Sequence, residues 1–220
     1  MAYRDIAARM FRRKVQAFES INNSIDFAED RDVFLGSAPK FQDRMSLHEY
    51  VSSLVGQVQI TYLEFGVWQG ESFRKWLSLN NNPDSRFIGF DTFTGLPEDW
   101  TPTDPKGKFS TAGQLPAIDD SRASFVRGMF QDTLYKFLEK SPPVARLIVH
   151  IDCDLYSSTL FTLSVLDRYF EKGAVLIFDD FHSLNHEFAA WRDYRRSFLR
   201  SWKPLGKTQL CIQAAFELAP

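Results

Sequence analysis

Material for disulfides is nearly absent from this chain. Two cysteines, Cys153 and Cys211, among 220 residues give no framework of bridges. Both stand in apolar, strand-like runs, and a reduced cytoplasmic protein is the simplest account. Long apolar runs are missing as well. None reaches the roughly 20 residues that a membrane-spanning helix needs, so no membrane partner is expected. Charge of one sign is not in excess: 26 Lys and Arg face 28 Asp and Glu, a net charge of −2. That balance removes the electrostatic case for a nucleic-acid partner. There is no internal repeat and no low-complexity tract. The opening "MAYRDIAARMFRRKVQAFES" holds no apolar h-region, so no secretory signal is expected, and Asp5 and Glu19 argue against an acid-poor transit peptide.

What is present is aromatic carbon, with 21 Phe in the chain, most of them where a core would need them. The length suits one domain with a sizeable core. Met10, Phe11, Val15 and Phe18 recur at helical spacing. They predict an N-terminal helix that packs on the domain or on a second copy, a candidate homo-oligomer contact. Residues 1–55 read as a helical extension and 56–220 as the catalytic domain, the two forming one compact unit. "IDFAEDRDVFLGSAPKFQDR" reads as loop or mixed structure, and "MSLHEYVSSLVGQV" as a helix.

From there the pattern alternates. "TYLEFGV", "RFIGFDTF", "SFVRGM", "ARLIVHID" and "AVLIFDD" read as strands. "ESFRKWLSLN", "QDTLYKFLEK", "STLFTLSVLDRYF" and "HEFAAWRDYRRSFLR" read as helices, and "WKPLGKT" and "QLCIQAAFEL" as two closing strands. Such alternation predicts an α/β fold, a doubly wound, Rossmann-like and mostly parallel sheet covered on both faces. Unbroken runs such as "LIVHI" fit strands buried on both sides. Residues 95–122, rich in Pro, Gly, Thr and Asp, break the alternation and read as a lid. Trp100 and Phe109 would anchor it.

In such a sheet, ligands bind beyond the C-terminal strand ends, where strand order reverses. The first strand delivers Glu64-x-Gly66-x-x-x-Gly70, a glycine turn feeding a helix whose N-terminus receives an anionic group. It is neither the dinucleotide fingerprint nor a P-loop. Asp91 ends the next strand, where an acid suits a ribose with two free hydroxyls. Together they point to a nucleoside cofactor without a pyrophosphate, of which S-adenosylmethionine is one. Two further buried runs end in acids, "HIDCDLYSST" at Asp152 and Asp154, and "VLIFDDF" at Asp179 and Asp180. Burying carboxylates without partners is costly. Asp152, Asp179 and Asp180 together suit a hard cation such as Mg²⁺. Taken alone, Asp154 reads as a cap for the helix that follows.

The stretches "YLEFGVWQGES", "FIGFDTFTGLPEDW", "KGKFS", "VRGMFQDTL", "HIDCDLYSST" and "VLIFDDF" resemble class I S-adenosylmethionine-dependent methyltransferases. More narrowly, they resemble the metal-dependent sugar O-methyltransferases typified by macrocin O-methyltransferase and its mycinamicin counterpart. Catechol O-methyltransferase is similar more distantly. The resemblance implies that Gly66, Trp68 and Ser72 hold the methionine end of the cofactor, with Glu64 and Gly70 in the same motif. It implies that Asp91 takes the ribose, that Phe130 and Gln131 flank the adenine, and that Asp152, Asp179 and Asp180 hold Mg²⁺ against a small-molecule hydroxyl acceptor. Where the catechol enzymes have a catalytic Lys, this chain has Leu155, so the base lies elsewhere. His182 is the first candidate, followed by Asp154 and His186. His48 and His150 read as structural. Two competing readings remain: a glycosyltransferase using Asp152-Cys153-Asp154 as a D-x-D, and a non-catalytic binding module.

Overall fold

The computed structural model of the chain describes residues 2–219, without the side chains of residues 2–7, 9, 10, 12 and 13. Helix α1 (Ala2–Glu29) runs into a wide π turn at Asp30–Phe34, followed by the short strand β1 (Lys40–Phe41) and helix α2 (Arg44–Val55). Then come β2 (Ile60–Phe65), α3 (Glu71–Leu79), β3 (Arg86–Asp91), β4 (Ala123–Arg127), α4 (Phe130–Lys140) and β5 (Arg146–Ile151). Helix α5 (Tyr156–Leu166), β6 (Val175–Phe178), α6 (Glu187–Phe198), β7 (Trp202–Thr208) and β8 (Ala214–Leu218) complete the chain.

The eight strands form one sheet in the order β1-β7-β8-β6-β5-β2-β3-β4. All pairings are parallel except those of β8, which is antiparallel to both β6 and β7. Strand order reverses between β2 and β5, and that seam positions the site. Side chains alternate along each strand. Leu147, Val149 and Ile151 of β5 join the core under α4, α5 and α6. Ile148 joins the opposite core under α2 and α3. His150 of β5 and Tyr62 and Glu64 of β2 have the same parity as Ile148, so polar groups enter the α2/α3 face. The sheet is therefore covered on both sides, as the continuous apolar runs require.

Three details depart from the sequence reading. The segment expected to be loop or mixed is helical through Glu29. Asp26 and Asp30 there pair with Arg192, Arg196 and Arg195 of α6, and Phe27 packs edge-on to Phe188 at 5.1 Å, so tertiary contacts extend the helix. Cys211 sits in a single 3₁₀ turn between β7 and β8, not in a strand; Leu210 and Cys211 both take φ above +50°. On α1, Phe11, Val15 and Phe18 lie exposed beside Ile21 and Ile25; the side chain of Met10 lies outside the described residues. The division expected after residue 55 follows directly on α2, whose Leu47, Val51 and Val55 share a core with β2 and α3.

Candidate active site

The exits of β2 and β5 meet at Gly66. Its amide donates to the Phe90 carbonyl at 2.9 Å, and the Asp152 amide donates to the Phe65 carbonyl at 2.9 Å. At φ +89° Gly66 occupies the left-handed region, and a β-carbon there would strike the Asp152 backbone. The following turn leads through Trp68, also left-handed at φ +48°, to Gly70, which opens α3. Asp91 holds the turn. One of its oxygens accepts the amides of Val67 and Trp68, each at 2.8 Å, and the other accepts the Phe93 amide at 2.7 Å. A carboxylate oxygen has two lone pairs, so Asp91 keeps one position for a hydroxyl.

Gly66, Trp68, Asp91, Phe130 and Gln131 line one cavity with Asp152, Asp154, Asp179 and Asp180. Three other residues expected at the cofactor stand behind it. Glu64 is fully buried, accepting from Tyr62 Oη on one oxygen and from Ser72 Oγ at 2.9 Å on the other. It fixes the start of α3 from beneath, and Ser72 does so with it. Gly70 packs against Pro116. These three shape the turn rather than line the cavity, because the parity of β2 sends Glu64 to the α2/α3 face.

The acids crowd together. Oxygens of Asp152, Asp154 and Asp180 all lie within 4.8 Å of one another. Burial, then the charge of Asp179, pushes Asp152 well above the usual carboxylate range. Burial, then Asp180, pushes Asp154 up to about 8; burial, then Asp179, pushes Asp180 up to about 6. Glu187 lies beneath them, its carboxylate accepting the Asp180 amide at 3.0 Å, and is likewise driven up by burial and then by Asp180. Like charges this close ionise together only with a cation among them. Asp179 turns away from the trio: one oxygen meets Arg44 at 3.3 Å and the other lies 3.9 Å from His150 Nε2. Asp154 does not cap α5, which has no side-chain cap; at φ +62° its carboxylate is aimed into the cavity. Residues held in that region of φ cluster at functional sites.

The two histidines proposed as bases sit differently. His182 is 45% exposed, with Nδ1 3.9 Å from Asp180, and is not part of the cavity lining. His186, whose pKa burial lowers, hydrogen-bonds to the backbone of Trp100. Residues 95–122 are irregular, with an isolated bridge between Thr101 and Asp104. They fold over the cavity, where Gly95, Leu96, Pro97, Trp100 and Phe109 form one wall. Trp68 and Phe109 meet edge-on at 5.8 Å. Bonds across the segment hold it: Leu96 to Lys108 and Gly107 to Leu96, each at 2.9 Å.

The family model of macrocin-O-methyltransferase (TylF) matches residues 42–201. The chain belongs to this family. It is an S-adenosylmethionine-dependent O-methyltransferase. The match spans β2 to α6, hence every strand end described above. A comparison with curated proteins found no match. Three solved structures share the fold at low identity. The calicheamicin methyltransferase CalS11 has a TM-score of 0.63 at 21% identity, with 91% of each chain covered. An O-methyltransferase from Bacillus cereus in complex with SAH has a TM-score of 0.54 at 13% identity, over 92% of this chain and 90% of that one. CmcI with Mg and SAM has a TM-score of 0.52 at 18% identity, over 81% of this chain and 73% of that one. Family membership removes the glycosyltransferase and binding-module readings.

Residues of this macrocin-O-methyltransferase family member that the sequence reading missed are Arg44, Glu187 and Trp76. Arg44 enters the cavity from the start of α2 and bonds Glu71 as well as Asp179. The packing of α2 on the sheet brings it there. Among the described residues, no helix is long and apolar enough to cross a membrane.

Proposed function

We propose that the chain methylates a hydroxyl of a sugar or a similar small molecule with neighbouring oxygens, using a divalent cation such as Mg²⁺. One observation carries the reading. Asp152, Asp154 and Asp180 bring three carboxylates within 4.8 Å in the cavity that Gly66 opens. All-oxygen donors fit a hard cation, and the raised proton affinities of these acids mark a site short of positive charge. Asp152, Asp179 and Asp180 would hold the cation, Asp179 through the oxygen now facing Arg44. When bound, the cation supplies Lewis acidity and a template for two acceptor oxygens. CalS11 is a TDP-rhamnose 3'-O-methyltransferase, and the CmcI structure holds Mg and SAM, which agree with a sugar hydroxyl and a cation here.

Gly66, Trp68, Asp91, Phe130 and Gln131 line the cavity that would hold the cofactor, with the free position of Asp91 suited to a ribose hydroxyl. Asp154 takes the proton of the acceptor hydroxyl. Its carboxylate lines the cavity beside Asp152 and Asp180, where the acceptor hydroxyl would lie. When bound, the cofactor would supply an electrophilic methyl group to the acceptor oxygen, and these residues would orient the two. His182 stands half exposed and outside the cavity lining, 3.9 Å from Asp180. The lid 95–122 closes over the acceptor and excludes water. The extension 1–55 delivers Arg44 to the site and offers the apolar stripe of α1 to a second copy. Methyl transfer to nucleotide sugars, assayed with Mg²⁺ and after EDTA, tests the reading. Full turnover in EDTA would remove the cation from it.

A further inference from the structure

On the α2/α3 face of the sheet, three buried polar atoms point at one another. Among the described residues, His48 Nε2, His150 Nε2 and Asp179 Oδ1 have no hydrogen-bond partner. The three residues each bring one ligand atom within 4.8 Å of the others, and His150 Nε2 is 3.9 Å from Asp179 Oδ1. Both imidazoles are wholly buried and Asp179 is 8% exposed. Such orphaned groups require an explanation.

The surroundings settle where the protons are. Trp76 Nε1–H donates to His48 Nδ1 at 3.1 Å, and an indole N–H only donates. His48 Nδ1 is therefore the lone pair, and Nε2 carries the hydrogen. Burial, followed by the nearby His150, holds this ring neutral. On the other ring, Tyr62 spends its one hydrogen on Glu64, so its oxygen accepts from His150 Nδ1–H at 3.2 Å. With Nδ1 facing Tyr62, Nε2 is the His150 nitrogen left without a partner. One donor on His48, one ring nitrogen and one carboxylate oxygen thus remain unpaired on this face.

We infer that His48 Nε2, His150 Nε2 and Asp179 Oδ1 bind one buried water molecule, which fixes the Asp179 carboxylate from behind. The water accepts from His48, donates to Asp179 and has His150 Nε2 as its third partner, three bonds of the number usual for internal water. Partners of a tetrahedral water at hydrogen-bond distance stand about 4.6 Å apart, inside the 4.8 Å bound here, and the His150–Asp179 pair is nearer at 3.9 Å. A transition metal at about 2.1 Å from each atom would pull them to roughly 3.0–3.4 Å. It would also need the Nε2 lone pair that the Trp76 bond denies to His48. The water completes a chain from Ser72 through Glu64, Tyr62 and His150 to Asp179. That chain ties the cofactor turn to the carboxylate assigned above to the cation. His48 and His150 are on this account positioning residues for Asp179, and their role at the cation rests on that assignment.

A crystal structure of the wild-type protein at better than about 1.5 Å resolution is the first test. A peak at hydrogen-bond distance from all three atoms, with no anomalous signal at the zinc or iron edge, supports the water. A peak near 2.1 Å with such a signal, or a direct His150–Asp179 contact with nothing between, overturns it. The second test is calorimetric titration of Mg²⁺ into the protein loaded with S-adenosylhomocysteine. His48→Phe removes the donor and should weaken Mg²⁺ binding about tenfold or more while cofactor affinity stays within twofold. His48→Gln, which restores an N–H, should recover most of the loss. Wild-type Mg²⁺ affinity in His48→Phe overturns the positioning role. Failure of the wild type to bind Mg²⁺ would instead sink the cation reading, leaving the water to the crystallographic test.

Discussion

A β-carbon on Gly66 would lie 1.6 Å from the carbonyl oxygen of Asp152. The turn that receives the cofactor and the strand end that carries the first acid are therefore in backbone contact, with no side chain between them. At φ +89° the position is also one that L-residues rarely adopt. Gly66→Ala should destabilise the protein by at least about 3 kcal/mol or force the two strand ends apart. The measurement is urea unfolding together with calorimetry of S-adenosylhomocysteine. A stable variant with wild-type cofactor affinity would contradict this packing.

Asp154 should be separable from the acids proposed to hold the cation. Asp154→Asn keeps the side chain's size but removes the proposed base. We expect kcat to fall about 100- to 10,000-fold, with S-adenosylhomocysteine and Mg²⁺ affinities nearly unchanged. His182→Ala should lower kcat less than tenfold, since that ring stands outside the cavity. The reverse order of effects would return the base to His182.

The acid cluster also fixes how stability depends on pH. In the folded, cation-free protein Asp154 titrates at about 8 and Asp180 at about 6, both raised by burial and by neighbouring acids. An unfolded Asp titrates near 4. Between those values the folded state holds more protons than the unfolded one, so stability falls as pH rises from about 4 to about 8. Below that window both states are protonated and the contribution vanishes. A cation binds the ionised carboxylates, so its stabilising effect should grow with pH. Thermal melts in EDTA and in Mg²⁺ at pH 6 and 8.5 check this. An equal Tm shift at both pH values would contradict it.

Arg44 and the cation should compete for Asp179. The guanidinium meets Asp179 at 3.3 Å and also bonds Glu71, supplying positive charge at the cluster's edge. Arg44→Gln removes that charge. Mg²⁺ should bind roughly tenfold more tightly at pH 8.5, a change of about 1.4 kcal/mol. Calorimetry reads it directly, and weaker binding would mean that Arg44 helps to organise the site rather than competing for it.

These residues also mark how far sequence carries. Strand ends were legible because a buried apolar run that stops at a carboxylate is a local signal, as at Ile151–Asp152 and Phe178–Asp179. The glycine turn was legible because few other residues take its conformation. Glu64 was legible as part of the glycine motif, but not the face it takes, since strand parity decides which face a side chain takes and register decides parity. Arg44, His48 and Trp76 meet the site only through packing of α2 and α3 on the sheet, which no local pattern reports. The long reach of α1 depends likewise on ion pairs to α6, some 165 residues away in sequence.

The lid offers the sharpest separation of cofactor from acceptor. Trp100 lines the cavity from the lid, and its indole Nε1 is buried without a partner in the protein. A buried donor without an acceptor is costly, so this N–H is poised for an oxygen that arrives with a ligand. On the proposed placement, Asp91 and the Gly66 turn meet the cofactor's polar groups, and the acceptor is the ligand residues 95–122 would enclose. Trp100→Phe keeps an aromatic wall but deletes the donor. Its acceptor KM should rise about 3- to 10-fold, the worth of one neutral hydrogen bond. The S-adenosylmethionine Kd should stay within twofold. Deleting the tip, residues 102–108, should in turn lower kcat more than cofactor affinity, because water then reaches the reacting oxygen. If Trp100→Phe instead weakens the cofactor and leaves the acceptor KM alone, the indole belongs to the cofactor's roof. The acceptor then enters from the other side of the acid cluster.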